Sequence, residues 1–216
     1  MTISLCMIVK DEEAVIGRCL DTVRDIADEI ILVDTGSTDR TVDIAKKYTN
    51  SIYHFPWCDD FSAARNYAFS KARMDYQMWL DADDVIEPED RAKFLEFKQH
   101  MPDADMIMMP YHTAFDQNGR PVFTCYRERL MRRSFGFRWV GAVHEAIAPA
   151  GKVVYSDIAV CHRKVQDNEP GRNLRILENQ LRRDGTLEPR MRFYFGRELH
   201  DAGRDEEAAE QLEIFL

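Results

Sequence analysis

The segment Tyr76-Gln77-Met78-Trp79-Leu80-Asp81-Ala82-Asp83-Asp84 joins an apolar run to three carboxylates within four residues. A short apolar run of this kind is typical of a strand that is buried on both faces of a sheet. The carboxylates therefore follow the end of a predicted strand, which is where open α/β sheets bind ligands. The segment predicts a central strand with an acidic ligand site at its carboxyl end.

Strand–helix alternation leads from the start of the chain to this segment. Short apolar runs alternate with stretches whose apolar residues recur every three to four positions, which predict helices. Four alternations in about eighty residues predict a parallel sheet that is covered by helices on both faces. We expect Lys10, Asp34 and Asp81 to lie at the same edge of this sheet. The predicted strands are Ile3–Val9, Ile30–Val33, Ser51–Phe55 and Tyr76–Leu80, and the later helices are Ser62–Arg73 and Glu89–Met101.

The pattern changes after residue 101. Asn118-Gly119 separates the segments Asp105–Asp116 and Arg120–Met131, which is a strong signal for a β-hairpin. Lys152–Tyr155 and Asp157–His162 predict further short strands. The complete sheet should therefore be mixed, which excludes a plain doubly wound dinucleotide-binding fold.

The residues after 170 have a helical pattern whose spacing matches the core positions of a tetratricopeptide repeat. We divide the chain into an α/β domain at residues 1–168 and a helical, tetratricopeptide-like segment at residues 169–216. One repeat of this kind cannot bury its own apolar face, so we expect the sequence to end inside a longer array. The alternative is a helix pair that caps the α/β domain.

Composition excludes several classes of protein. The 216 residues carry a formal net charge of −9, and surfaces that coat nucleic acid need clustered Lys and Arg. The five cysteines form no CxxC pair, which is typical of reduced thiols in a cytoplasmic protein. The apolar N-terminus is too short to span a bilayer and lacks the features of a signal peptide, so no transmembrane segment is predicted.

The acidic segment and one histidine are candidates for a metal site. Asp81, Asp83 and Asp84 repel one another, and a hard divalent cation would relieve that repulsion. His162, at the end of the last predicted strand, is a candidate nitrogen ligand. The alternatives are that the carboxylates solvate a loop and cap the next helix, and that His162 is structural.

Other polar residues allow two interpretations each. Asp34 either accepts a hydrogen bond from a nucleobase or belongs to a turn, and Arg65 either pairs with Asp34 or lies on the surface. Glu145, which follows His144, is either a general base for an acceptor or the ion-pair partner of an arginine. The five arginines between residues 127 and 138 either bind pyrophosphate or acceptor, or lie on solvated faces of the hairpin.

Four ordered motifs resemble those of the family-2 glycosyltransferases, which have a GT-A fold. The likeness covers about residues 1–165 and is strongest to the sublancin-type peptide S-glycosyltransferases, which carry a C-terminal tetratricopeptide segment. The motifs are Ser4–Glu13, Asp28–Asp39, Asp60–Asn66 and Trp79–Asp84. The resemblance implies an inverting enzyme that moves a hexose from a UDP-sugar to a peptide, protein or glycan, with Mn²⁺ or Mg²⁺ as cofactor.

The resemblance also assigns roles to residues of this chain. Asp83 would ligate the metal together with the diphosphate. Glu145 would stand where the family places its catalytic base, although the customary Glu-Asp pair is His144-Glu145 here. The C-terminal helices would be the surface for any homo-oligomer. The implied contacts to the nucleotide sugar are Ile8, Val9, Lys10, Glu12, Asp34, Arg65, Asp81 and Ala82.

Two other classes of function compete with this one. A metal-dependent nucleotidyltransferase usually has a glycine-rich, basic loop after the first strand, whereas Lys10-Asp11-Glu12-Glu13 is acidic and lacks glycine. A non-catalytic scaffold, with the tetratricopeptide-like segment as its binding part, would leave the carboxylates at the strand ends unexplained. UDP binding that Mn²⁺ strengthens would favour the transferase over both.

Overall fold

The computed structural model describes residues 1–165 and 169–216, which divide into two units. The first unit comprises Met1–Trp57, Ala64–Arg138 and Ile147–Val165. The second comprises Cys58–Ala63, Trp139–Ala146 and the described residues from 169 to 216. The expected domain boundary after residue 168 adjoins residues 166–168, which lie outside the described residues, so it stays a prediction.

The described residues form a nine-stranded mixed sheet at the centre of the first unit. The strands are β1 (Ile3–Val9), β2 (Glu29–Asp34), β3 (Ile52–His54), β4 (Tyr76–Trp79), β5 (Asp84–Val85), β6 (Met106–Phe115), β7 (Pro121–Arg132), β8 (Val153–Tyr155) and β9 (Val160–His162). Their order in the sheet is β3-β2-β1-β4-β7-β6-β9-β5, with β8 also paired to β6. The strands β1 to β4 are parallel to their neighbours within this group, whereas β7 is antiparallel to both β4 and β6. This mixed sheet confirms the expected fold class.

The helices of the α/β part of the chain are α1 (Ile16–Val23), α2 (Thr41–Ala45), α3 (Phe61–Lys71) and α4 (Pro88–Gln99). Helix α1 buries the side chains that recur every three to four residues along it, as its amphipathic pattern predicts. Helix α4 begins with a proline and two acidic residues, which suit the first turn of a helix.

The central parallel strands bring their carboxyl ends together. Every residue of β2 and β4 is buried, as expected for strands covered on both faces. Val9 at the end of β1 pairs with Asp34 at the end of β2, and Cys6 pairs with Trp79 at the end of β4. The prediction that polar residues gather at this edge is therefore confirmed for the positions of Lys10 and Asp34.

The β6–β7 hairpin forms where Asn118-Gly119 predicts it. One carboxylate oxygen of Asp116 accepts hydrogen bonds from the amides of Asn118 and Arg120, both at 2.8 Å. Gly119 has a φ of +78°, a backbone conformation that glycine adopts without strain. The turn residues thus fix where the chain reverses.

The second unit contains the helices α5 (Arg172–Asp184), α6 (Pro189–Asp201) and α7 (Asp205–Phe215). Helices α6 and α7 approach closely at Gly196, where an added Cβ would lie 2.7 Å from Cγ of Leu212. The tetratricopeptide-like character of these helices stays a prediction. Within residues 1–165 and 169–216, each helix is too short or too polar to cross a lipid bilayer.

Candidate active site

The acidic segment forms a tight turn between β4 and β5. The amide of Asp84 donates to the carbonyl of Asp81 at 3.0 Å. In return, the amide of Asp81 donates to the Asp84 carboxylate at 3.1 Å. Asp84 therefore holds the turn that carries Asp81 and Asp83.

Asp84 belongs to a network that is completely buried. Its Oδ1 accepts from the Tyr111 hydroxyl at 2.8 Å, and its Oδ2 lies 3.2 Å from Nη1 of Arg129. Arg129 is also fully buried, and Nη1 donates to the carbonyl of Trp79 at 3.0 Å. Its Cζ lies 3.8 Å from the centroid of the Trp79 ring and 4.3 Å from that of Tyr111. Both oxygens of Asp84 are thus engaged inside the protein.

Arg129 fits neither interpretation of the arginine run, because it lies in the core and neutralises a buried carboxylate. Two other arginines of the run have local carboxylate partners. Arg127 pairs with Glu128, and Arg132 pairs with Asp105 at 3.2 Å. The run is therefore not one basic patch.

His162 joins the acidic turn because its strand β9 pairs with β5. The two strands place His162 opposite Asp84 in antiparallel register. Its Nδ1 lies 3.3 Å from Asp83 Oδ1, 3.2 Å from Asp84 Oδ1 and 3.0 Å from the Tyr111 hydroxyl. The hydrogen bonds to Asp83 and then Asp84 raise the pKa of His162 to about 10, although burial acts in the opposite direction. The two carboxylates thus favour a protonated His162 when no metal is bound, and a metal ion would have to displace that proton in order to bind the imidazole.

Asp83, Asp84 and His162 fit the requirements of a divalent cation. Their candidate ligand atoms all lie within 4.8 Å of one another. The side chains of Asp83 and His162 keep 20% and 25% of their surface exposed, whereas Asp84 is inaccessible. Carboxylate oxygen and imidazole nitrogen together suit Mn²⁺, and carboxylate oxygen suits Mg²⁺. The exposed pair can therefore ligate a metal, and Asp84 can orient it.

Asp81 pairs with Arg65 from helix α3. Nη2 of Arg65 lies 2.8 Å from Oδ1 of Asp81, and most of the Arg65 side chain is buried. Burial acts to raise the pKa of Asp81, but the charge and hydrogen bond of Arg65 outweigh it and leave that pKa below its usual value. Asp81 is thus held as a carboxylate with a fixed partner.

Asp34 has the contacts of a turn residue. Its carboxylate accepts from the amides of Ser37 at 3.0 Å and Gly36 at 3.3 Å, and it lies 3.6 Å from Nδ1 of His54. The turn interpretation is confirmed, and contact with a nucleobase stays a prediction.

The remaining residues predicted to bind the nucleotide sugar differ in exposure. Ile8 and Glu12 are half-buried, Val9 and Ala82 are buried, and Lys10 is exposed. Burial, followed by the charges of Asp83 and Asp81, raises the pKa of Glu12 to about 7. Glu12 therefore shares the electrostatic environment of the acidic turn. The binding roles of these residues stay predictions.

Glu145, the predicted base, is half-buried in a loop of the second unit. Backbone hydrogen bonds between Val140 and Ala146, at 3.0 and 3.1 Å, close the loop on either side of it. His144, just before it, has a φ of +49°, which is unusual for a residue other than glycine.

Tyr111 and Arg129 belong to the buried network around Asp84, and neither was predicted there from the sequence. A signal was present for Arg129, because alternation along a strand places it on the same face as Met131, which is buried. A charge on a buried face needs a buried counter-charge. The neighbouring acidic segment supplies it.

Residues 4–150 match the family model of glycosyl transferase family 2. A TPR repeat-containing protein of Synechococcus elongatus is 51% identical over 145 residues, which cover 67% of this chain and 35% of that protein. The SPbeta prophage-derived glycosyltransferase SunS of Bacillus subtilis is 30% identical over 227 residues, which cover 98% of this chain and 52% of SunS. This chain thus spans about a third of the first relative and about half of the second.

A solved structure shows the same GT-A fold. It is glucosyl-3-phosphoglycerate synthase of Mycobacterium tuberculosis in complex with Mg²⁺ and UDP, with a TM-score of 0.55 and 15% identity. The match covers 87% of this chain and 80% of that one. The same synthase has been solved with Mn²⁺ and UDP-glucose, with a TM-score of 0.54.

Proposed function

Because the chain belongs to glycosyltransferase family 2, we propose that it moves a hexose from a UDP-sugar to an acceptor in a metal-dependent, inverting reaction. The proposal rests above all on the pair Asp83 and His162, an accessible carboxylate and imidazole at the ligand-binding side of the sheet. A nucleotidyltransferase or a non-catalytic scaffold has no comparable support, since residues 4–150 match a glycosyltransferase family.

The proposed donor site lies along the carboxyl ends of β1, β2 and β4. Asp34 would contact the uracil with support from Arg65, and the strand end at Ile8–Lys10 would line the nucleoside. Asp81 would reach the ribose or the sugar. The UDP and UDP-glucose complexes of the mycobacterial synthase support a uridine nucleotide as the donor.

Asp83 and His162 would hold Mn²⁺ or Mg²⁺ together with the diphosphate. When bound, the ion would neutralise charge that develops on the departing UDP. Asp84 would orient both ligands, because its oxygens hold the acidic turn on one side and face the imidazole on the other.

The proposed reaction is a direct displacement at the anomeric carbon. A lone pair of the acceptor atom forms the new bond from the face opposite the leaving group, and the bond to UDP breaks with its electron pair on the phosphate oxygen. Glu145 takes the proton of the acceptor. One displacement of this kind inverts the configuration of the sugar.

We further propose a peptide, protein or glycan as the acceptor and a cytoplasmic location. The resemblance of the motifs to those of peptide S-glycosyltransferases supports the first proposal. All five cysteines are free thiols, and a reducing compartment keeps them so.

The decisive experiment measures UDP binding by calorimetry with and without Mn²⁺. We expect Mn²⁺ to raise the UDP affinity of the unmodified protein by about tenfold or more, and to have no such effect on Asp83→Ala. Asp43→Ala is the matched control, because Asp43 is an exposed carboxylate paired with Lys46. A screen of UDP-sugar hydrolysis with Mn²⁺ then identifies the donor, and an Asp83→Ala protein with near-native turnover would refute the metal assignment.

The base is tested separately with Glu145→Gln. This variant should bind UDP normally but lose sugar transfer by about a hundredfold or more, as expected when a general base is removed. Lost UDP affinity would instead assign Glu145 to donor binding.

A further inference from the structure

One face of helix α6 holds the loop that carries Glu145. Arg190, Tyr194 and Glu198 are four residues apart, so their side chains project from the same face in successive turns. All three contact a single residue of the loop, His144, within the second unit.

The three contacts engage different parts of His144. Arg190 donates from Nη2 to its backbone carbonyl at 2.7 Å. The imidazole stacks on the Tyr194 ring, with centroids 4.1 Å apart and 17° between the planes. Its Nε2 lies 2.9 Å from Oε1 of Glu198, which also accepts from Nδ2 of Asn173 at 3.1 Å. The backbone carbonyl, the ring face and the ring edge of His144 are therefore each held by a different residue of helix α6.

These contacts explain the backbone of His144. A left-handed φ of +49° costs free energy in any residue with a Cβ, and such a conformation persists only where its surroundings impose it. Glycine would adopt it without strain but could not supply the stacked ring and the hydrogen-bonding nitrogen. Since Val140 and Ala146 close the loop, the conformation of His144 sets the position of its neighbour Glu145.

We infer that Arg190, Tyr194 and Glu198 are positioning residues that act through His144 to hold Glu145 in place for proton removal. The inference rests on the proposed function, because the clamp affects catalysis only if Glu145 is the base. It assigns one face of helix α6, the face of Arg190, Tyr194 and Glu198, to positioning the proposed base.

The test combines hydrogen–deuterium exchange with transfer kinetics on the full chain. Glu198→Ala should raise amide exchange in the peptide that covers residues 139–146. It should also lower kcat by about tenfold or more, while the KM for the donor stays within about twofold. Glu198→Gln keeps an oxygen that accepts both hydrogen bonds, so it should recover most of the loss. His200→Ala is the matched control, because His200 on the same helix pairs with Asp205 at 2.7 Å, away from the loop.

Two results would overturn the inference. Loop exchange that is unchanged in Glu198→Ala would mean that there is no clamp. Raised exchange with unaltered kcat would mean that the clamp does not position the base. If Glu198→Ala does not fold, Tyr194→Ala replaces it as the test variant, because it removes the stacked ring. Tyr194→Phe keeps that ring and is its control, and the same two measurements decide the outcome. Absence of any transfer from UDP-sugars by the unmodified protein would refute the proposed function instead, and exchange would still decide whether the clamp exists.

Discussion

Replacing Arg129 with methionine removes the cation from the buried network, while the methionine side chain still fills most of the space that the arginine occupied. Among the described residues, Asp84 would then keep the Tyr111 hydroxyl, the amide of Asp81 and the neighbouring His162 as partners. Both charged groups have side chains with no exposed surface, so water cannot replace the lost partner. Breaking a buried ion pair on one side costs about 3–5 kcal/mol.

The cost should appear as a fall in thermal stability. For a chain of this size each kcal/mol moves Tm by roughly 2–4 °C, so we expect a decrease of roughly 10 °C for Arg129→Met. Circular dichroism during heating and urea titration measures it. Arg132→Met is the control on the same strand, because its pair with Asp105 is partly exposed and should cost about 1 kcal/mol or less.

A double-mutant cycle isolates the pair itself. Nε and Nη2 of Arg129 have no hydrogen-bond partner within residues 1–165 and 169–216 and face the aromatic rings instead. Removing both charges, in Asp84→Asn with Arg129→Met, should therefore cost less than the two single changes added together, by about 1–3 kcal/mol. An Arg129→Met protein within 1 kcal/mol of the unmodified one, or strict additivity in the cycle, would refute this account of the network.

Two further predictions concern stability elsewhere in the chain. Burial acts to raise the pKa of Glu29, but hydrogen bonds from Ser4 and Arg73 outweigh it and leave the pKa below its usual 4.5. The ionised Glu29 therefore stabilises the folded state at neutral pH. This stabilisation is lost as the pH falls below 4.5 and through the pKa of the folded state. Glu29→Gln should thus lower the free energy of unfolding at pH 7 by more than at pH 3, and equal losses in urea titrations at the two pH values would contradict the assignment. Gly196→Ala should destabilise the α6–α7 pair by about 1–3 kcal/mol, because the new Cβ would lie 2.7 Å from Cγ of Leu212. Leu212→Ala combined with Gly196→Ala should cost less than the separate losses added together, and a Gly196→Ala protein as stable as the original would show that the helices move apart freely.

Local patterns predict much of the fold. The parallel half follows from apolar runs that alternate with amphipathic helices, and the hairpin follows from Asn118-Gly119, whose turn needs only nearby residues. The last strand was predicted from Asp157 but begins at Val160. The amide of Ile158 donates to the Ser156 hydroxyl at 3.1 Å, so the chain turns locally before it joins the sheet.

The site was predictable in part. Asp83 was a candidate from its acidic motif and His162 from its place at the end of a predicted strand, and the β5–β9 pairing brings the two together. Alternation along the strand hints that Arg129 is buried, but its partner Asp84 was not predictable from that segment, because the contact depends on β7 lying beside β4. The contacts of His144 with helix α6 depend on residues that are 46 to 54 positions away. Patterns within a short window carry no information about such pairings.

The pairing of β5 with β9 also determines when the acidic turn and His162 can meet during folding. Strand β5 has only two residues, and Asp84 and His162 are 78 positions apart in the sequence. Closing so long a loop for so short a ladder is entropically unfavourable until the strands between them are in place. A chain emerging from the ribosome therefore presents its carboxylates well before it presents the imidazole. If the proposed divalent cation binds through both Asp83 and His162, its capture during refolding should be a late event that follows the formation of the parallel strands.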